Sequence, residues 1–174
     1  MALQARRRAT NQARIRAALF DAAPLVVYII LAGLVVHVLF PAIAGPLPLA
    51  VEIVVGWLFI EVPIGIWVAR QGIMAHTSLG KNREGLRIIT VGSIVPPGRG
   101  RIIARVVASL LPWAVAHALI VIAIDPRYMA WWHWSVPCLG LIITLIVVSC
   151  LVPIARIDRR SVADLLAGTQ VVAD

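Results

Sequence analysis

Four long apolar runs, at residues 17–40, 49–70, 102–124 and 135–155, are separated by polar or proline-rich stretches. Each run has close to the twenty or so residues an α-helix needs to cross a hydrocarbon layer, at roughly 1.5 Å per residue. The pattern predicts an all-α, polytopic membrane protein with four transmembrane helices. Pro41, Gly45, Pro46 and Pro48 make a short uncharged turn after the first run. Asp125-Pro126-Arg127 closes the third, and Tyr128, Trp131, Trp132 and Trp134 follow as an interfacial aromatic belt. The longest polar connection covers 71–101, and its stretch GLRIITVGSIV predicts short extended segments forming a hairpin around Gly92-Ser93 on the membrane surface. A basic tail at 1–16 and a polar tail at 156–174 flank the 17–155 membrane domain.

The apolar runs are interrupted by a few polar groups. Glu61 lies near the middle of the second run and Pro63 follows two residues later, removing one backbone hydrogen bond and loosening the helix there. An ionisable group at the bilayer midplane costs several kcal/mol on most scales, so it is rarely retained without a use. Glu61 is therefore either a structural carboxylate bonded to another helix or a group that takes up and releases protons, since burial disfavours the charged form of a carboxyl. Glu52, nine residues earlier, falls on the opposite helical face near the outer interface and is expected to be solvated. Asp21 stands early in the first run, where it either compensates the helix dipole or forms half of a buried pair with Arg14, two turns before it. His37 and His117, in the outer halves of their runs, read as packed, satisfied residues.

Composition agrees with a membrane protein. The chain of 174 residues is 61% hydrophobic with mean hydropathy +0.94, against about 45–50% apolar residues in a soluble domain. The formal net charge of +8 would point to nucleic acid in a soluble protein. Here the arginines flank apolar runs, so anionic lipid headgroups are the expected partner and nucleic acid is not. Fifteen of the 16 Lys+Arg fall on one side of the four-span arrangement and Arg127 alone on the other. The positive-inside rule then places both termini and the 71–101 loop in the cytoplasm, and the expected location is a bacterial-type cell (inner) membrane. Cys138 and Cys150, twelve residues apart, would stand about 18 Å apart on one helix, too far for a disulfide. The first run is too long for a signal-peptide core and lacks a convincing small-residue cleavage site, so it is read as a retained helix. Gly80-Lys81 lacks the rest of a phosphate loop, with Ala75 and Asn82 at its other key positions. No nucleophile triad or metal-ligand spacing is present, so neither an enzyme nor a cofactor is expected.

The polar segments do resemble one family. HTSLGKNREGLRI at 76–88 is similar to the T-x-GK-x-x-x-GL-[RK]-V signature of RDD-family membrane proteins, with Gly80, Lys81, Gly85, Leu86 and Arg87 on its positions. IDRRSVADLLAGTQVV at 157–172 resembles that family's closing R-R-x-x-x-D-L-L-A-G-T-x-V-V, and RIRAALFD at 14–21 its R-x-x-A-x-x-x-D opening. The Pro96-Pro97-Gly98 turn is similar to the family's Gly/Pro loop, whereas His76 and Ser78 stand where a Gly-rich turn is common. The resemblance implies that Arg14, Asp21 and Asp164 (Asp158 being the weaker alternative) are the family's arginine and two aspartates. It also implies transport, with cation/proton exchange in some members. The expectation is a small carrier, assembled as an oligomer or with a membrane partner protein, that moves cations or protons past Asp21 and Glu61. In it Arg14 would set the resting charge and Asp164 would anchor the tail. The alternative is a non-transporting scaffold whose basic face binds a partner or anionic lipid.

Overall fold

A computed structural model describes residues 9–45, 47–125, 131–155 and 160–173. Asp158, Arg127, Tyr128 and the first three tail arginines lie outside the described residues. Among those described, four helical runs are long and apolar enough to cross a bilayer, Asn11–Ile43, Leu49–Arg83, Arg99–Ile124 and Trp132–Pro153. The four long apolar helical runs read from the sequence are therefore present in the structure, with boundaries set by caps.

Helix α1 (Asn11–Leu34) starts six residues before its apolar run because the Thr10 hydroxyl accepts from the Ala13 amide. It passes through a π-helical turn (Val35–Leu39) into α2 (Phe40–Ala44). Pro41 has no N–H to close an α-turn onto residue 37, and the Phe40 amide reaches back to the Val35 carbonyl instead. The second run is two helices, α3 (Leu49–Phe59) and α4 (Glu61–Ala75), meeting at Ile60 with φ −111° and ψ −65°. Pro63 is the cause, since it cannot donate to the Phe59 carbonyl, which accepts the Tyr28 hydroxyl from α1.

α4 ends at His76, whose φ of 51° is left-handed. Ser78 then caps the short α5 (Leu79–Arg83), and strand β1 (Leu86–Thr90) follows. α6 (Arg99–Ile124) and α7 (Trp132–Ala155) form the third and fourth runs. Trp131, Trp132 and Trp134 at the start of α7 are exposed, as an interfacial belt requires.

Two expectations are corrected here. The hairpin around Gly92-Ser93 is reduced to a turn: Gly92 reverses the chain after β1, the Ser93 amide donates to the Thr90 carbonyl and the Thr90 amide to the Val95 carbonyl, and no second strand follows before α6. β1 pairs instead with β2 (Thr169–Ala173), antiparallel, with Leu86 opposite Ala173 and Thr90 opposite Thr169. Consequently the polar tail is folded, and the all-α class gains a two-stranded sheet. Before β2 comes α8 (Val162–Ala167), begun by a reciprocal capping box between Ser161 and Asp164 and ended by left-handed Gly168.

A two-stranded ribbon is marginal alone and needs a packed face. That face is the core of the molecule: Leu86, Ile88 and Val171 of the sheet bury against Ala9, Ala17, Ile102 and Val106. The four apolar runs are by contrast largely exposed, as side chains covered by lipid should be.

Candidate functional site

Polar side chains gather in two places. The first is the basic end, where the starts of α1 and α6, the α5–β1 segment and the tail meet. Ala17 packs so closely on Gly80 that a Cβ there would lie 2.0 Å from the Ala17 carbonyl oxygen. This contact lets Asp21, one turn on, cap the α5 turn: Gly80 N donates to Oδ1 at 2.8 Å, and the Ser78 hydroxyl donates to Oδ2. Lys81 Nζ lies 3.4 Å from Asp21 Oδ2 and 2.9 Å from Ser78 Oγ, so the cation that reaches Asp21 is Lys81. Arg14 donates to the Val171 carbonyl at 2.8 Å, tying α1 to β2. Gly85, with φ +61°, makes the turn into β1.

Asp164 holds the tail. Its side chain is 1% exposed, receives Arg105 Nε of α6 at 2.8 Å and the Thr169 hydroxyl at 2.9 Å, and also caps Ser161. Burial works against its charge, but the Arg105 guanidinium and the Ser161 and Thr169 hydrogen bonds outweigh it. They hold the carboxyl below the usual aspartate range. Lys81 is within electrostatic reach of both Arg105 and Asp164, which joins the two halves of the cluster. The three segments that carry the family resemblance, far apart in sequence, are thus one interlocked unit in space.

The second group lies inside the apolar runs. Glu61 Oε1 is 2.7 Å from His117 Nδ1 of α6. His117 Nε2 is 3.0 Å from His37 Nε2 on the π-turn, the rings meeting edge to face at 81°. His37 Nδ1 is in turn 3.4 Å from Glu52 Oε1 in the first turn of α3. All four side chains are between 13% and 20% exposed.

Local backbone explains the convergence. The break at Ile60 puts Glu61 in the first turn of a new helix segment, where positive dipole charge favours a carboxylate. Gly56 leaves room for the imidazole pair, since a Cβ there would lie 2.6 Å from His117 Cε1. Glu61 Oε2 is buried with no hydrogen-bond partner among the described residues.

Glu52 is accordingly not the solvated, isolated carboxylate that its spacing predicts. Nine residues of helix rise about 13 Å, and two imidazoles from other runs bridge that interval to Glu61. His37 and His117 are satisfied, as expected of packed histidines, but by each other and by carboxylates. Reading each run alone could not find them, because the pairing is between runs. The available signal was that His37, Glu52, Glu61 and His117 all fall in the half of their runs remote from the arginines, or at midspan.

Asp21 and Glu61 share no hydrogen-bond partner among the described residues and are separated by the length of α4, about 20 Å. Between them α1 and α4 enclose an apolar groove of about 300 Å³ lined by Pro24, Leu25, Tyr28, Pro63, Ile64 and Trp67. No family model, curated protein or solved structure matches the chain.

Proposed function

We propose that this protein is a small cation/proton carrier of the cell membrane, with Glu61 as the group that exchanges protons. One observation carries the reading: a carboxylate at mid-span is bonded at 2.7 Å to an imidazole of another span, with its second oxygen buried. Such a group is expensive to keep in lipid, and a carboxylate hydrogen-bonded to an imidazole can exchange a proton with it across that bond. The resemblance to the RDD family adds to the reading, as does the interlocking of the three segments that carry it. Asp21, Lys81, Arg105 and Asp164 then form the cytoplasmic closure, with both chain ends on that side. Four spans leave little room for a path inside one copy, so the carrier works as a symmetric assembly or with a membrane partner.

The test is ion flux in vesicles reconstituted with purified protein, driven by gradients of protons, sodium or potassium. Wild type is expected to move protons against at least one of these cations, and Glu61→Gln to lose at least nine-tenths of that flux. A second reading, a non-transporting scaffold whose basic face holds a partner or anionic lipid, is favoured by the internal commitment of Asp21 to the α5 turn. Wild type inert under every gradient would leave that reading standing.

A further inference from the structure

We propose that Glu52, His37 and His117 form a proton feed that loads Glu61 from the end of the molecule opposite the basic cluster. The inference deepens the carrier reading and rests on it for its use, although its chemistry can be tested apart. In each imidazole one ring nitrogen faces a carboxylate and the other faces the second ring, so no ring nitrogen is committed to a fixed backbone carbonyl. A ring–ring Nε2···Nε2 contact at 3.0 Å holds one proton, donated by one ring and accepted by the other. Three contacts within hydrogen-bond distance therefore connect two carboxylates in series through groups that each can pass a proton on. Among the described residues the Tyr28 hydroxyl of α1 is committed to the Phe59 carbonyl.

The transfer balances. The array starts with both carboxylates ionised and both rings neutral, His37 carrying its proton on Nε2 and His117 on Nδ1. A proton arriving at Glu52 passes to His37 Nδ1. The Nε2 proton of His37 passes to His117 Nε2, and the Nδ1 proton of His117 passes to Glu61 Oε1. One proton has entered at Glu52 and one resides on Glu61. Both rings remain neutral with their tautomers exchanged. The starting state puts two acceptors, Glu52 and His37 Nδ1, against each other, and that contact is the longest of the three at 3.4 Å.

Beyond Glu61 the feed stops. The groove toward Asp21 is lined by Pro24, Leu25, Ile64 and Trp67 besides the committed Tyr28. A relay open at one end and blocked at the other describes a loading step, so proton flux should saturate with the gradient, as in a carrier, and not rise linearly, as in a channel.

The experiment measures proton flux in reconstituted vesicles for wild type, Glu61→Gln, His37→Gln and His117→Gln, with imidazole added to His37→Ala as a rescue. Glutamine keeps a polar side chain but cannot relay a proton. Each glutamine variant at His37 or His117 is expected to lose at least tenfold in flux, and imidazole to restore a measurable part of it in His37→Ala. Flux within twofold of wild type in His37→Gln, with Glu61→Gln inactive, would overturn the feed and leave the carrier. Should wild type itself prove inert, the carrier falls, and the relay is decided by nitrogen NMR of the labelled histidines. A through-hydrogen-bond coupling between the two Nε2 atoms, lost in His37→Gln, supports the shared proton; its absence in wild type across the pH range sinks it.

Discussion

Two glycines show how residue-scale space serves two different ends. At Gly80 the obstacle to a side chain is the backbone carbonyl of Ala17, 2.0 Å from where a methyl carbon would sit, and a helix backbone cannot retreat without moving α1. At Gly56 the obstacle is the tip of the His117 ring, at 2.6 Å, and a ring can swing aside. The same substitution should therefore fail in different ways. Gly80→Ala is expected to cost about 3 kcal/mol or more, at the upper end for overpacking a tight contact, visible as a lower midpoint of thermal unfolding in detergent. Gly56→Ala should leave that midpoint within a few degrees yet push His117 off His37, and proton flux in vesicles should fall at least fivefold. A Gly56→Ala protein with wild-type flux would mean that the imidazole contact has no part in transport. His76 makes the complementary point: at φ 51° it occupies a left-handed position that a glycine adopts without strain, in the turn where the family resemblance leads one to look for glycine.

At the scale of elements, the tail is a clasp and not an appendage. α8 and β2 cover the start of α6 and the edge of β1, and the charge pair Arg105–Asp164 fixes them at 2.8 Å. The folded protein holds Asp164 ionised more readily than the unfolded chain does. Its contribution is therefore fully present above the ordinary aspartate range, about pH 4, and is lost as pH falls through the lowered folded value. The contribution of this pair to the unfolding midpoint should be flat from pH 7 to 5 and fall below about pH 4, so the difference between wild type and Asp164→Asn should be constant above pH 5 and shrink below pH 4. At neutral pH the same variant is expected to cost about 3 kcal/mol, the low end for breaking a buried pair, because Arg105 keeps 18% of its side chain in water.

This clasp was partly legible. Ser161 and Asp164 have capping-box spacing and Gly168 stands where a helix stops, so α8 could be read from local chemistry alone. β2 could not, because its partner lies some eighty residues earlier and short apolar runs such as Leu86–Thr90 do not say with what they pair. The four spans were legible because lipid imposes one length and one composition on each. The histidine–carboxylate array was not, since it depends on a π-turn and a broken helix that bring three separate runs together.

At the scale of the whole molecule, the positive charges of the described residues gather at one end. Arg14, Arg16, Lys81, Arg83, Arg87, Arg101, Arg105 and Arg160 belong to the interlocked elements at one end, while the exposed tryptophans at 131, 132 and 134 begin α7 at the other. Moving that basic end through a bilayer would require transferring several charged groups across hydrocarbon, at a cost of several kcal/mol each. Insertion is therefore expected to be uniform, with the basic end cytoplasmic. Cys138 near the start of α7 is exposed and unpaired, and Ser93 lies in the turn after β1 at the basic end. In right-side-out vesicles a membrane-impermeant maleimide should not label Ser93→Cys in a Cys138→Ser, Cys150→Ser background. The same protein in inside-out vesicles should label fully. The reverse pattern would place the clasp outside the cell. The Glu52 end of the array would then face the cytoplasm, and the proposed loading of Glu61 would have to run from the cell interior outward.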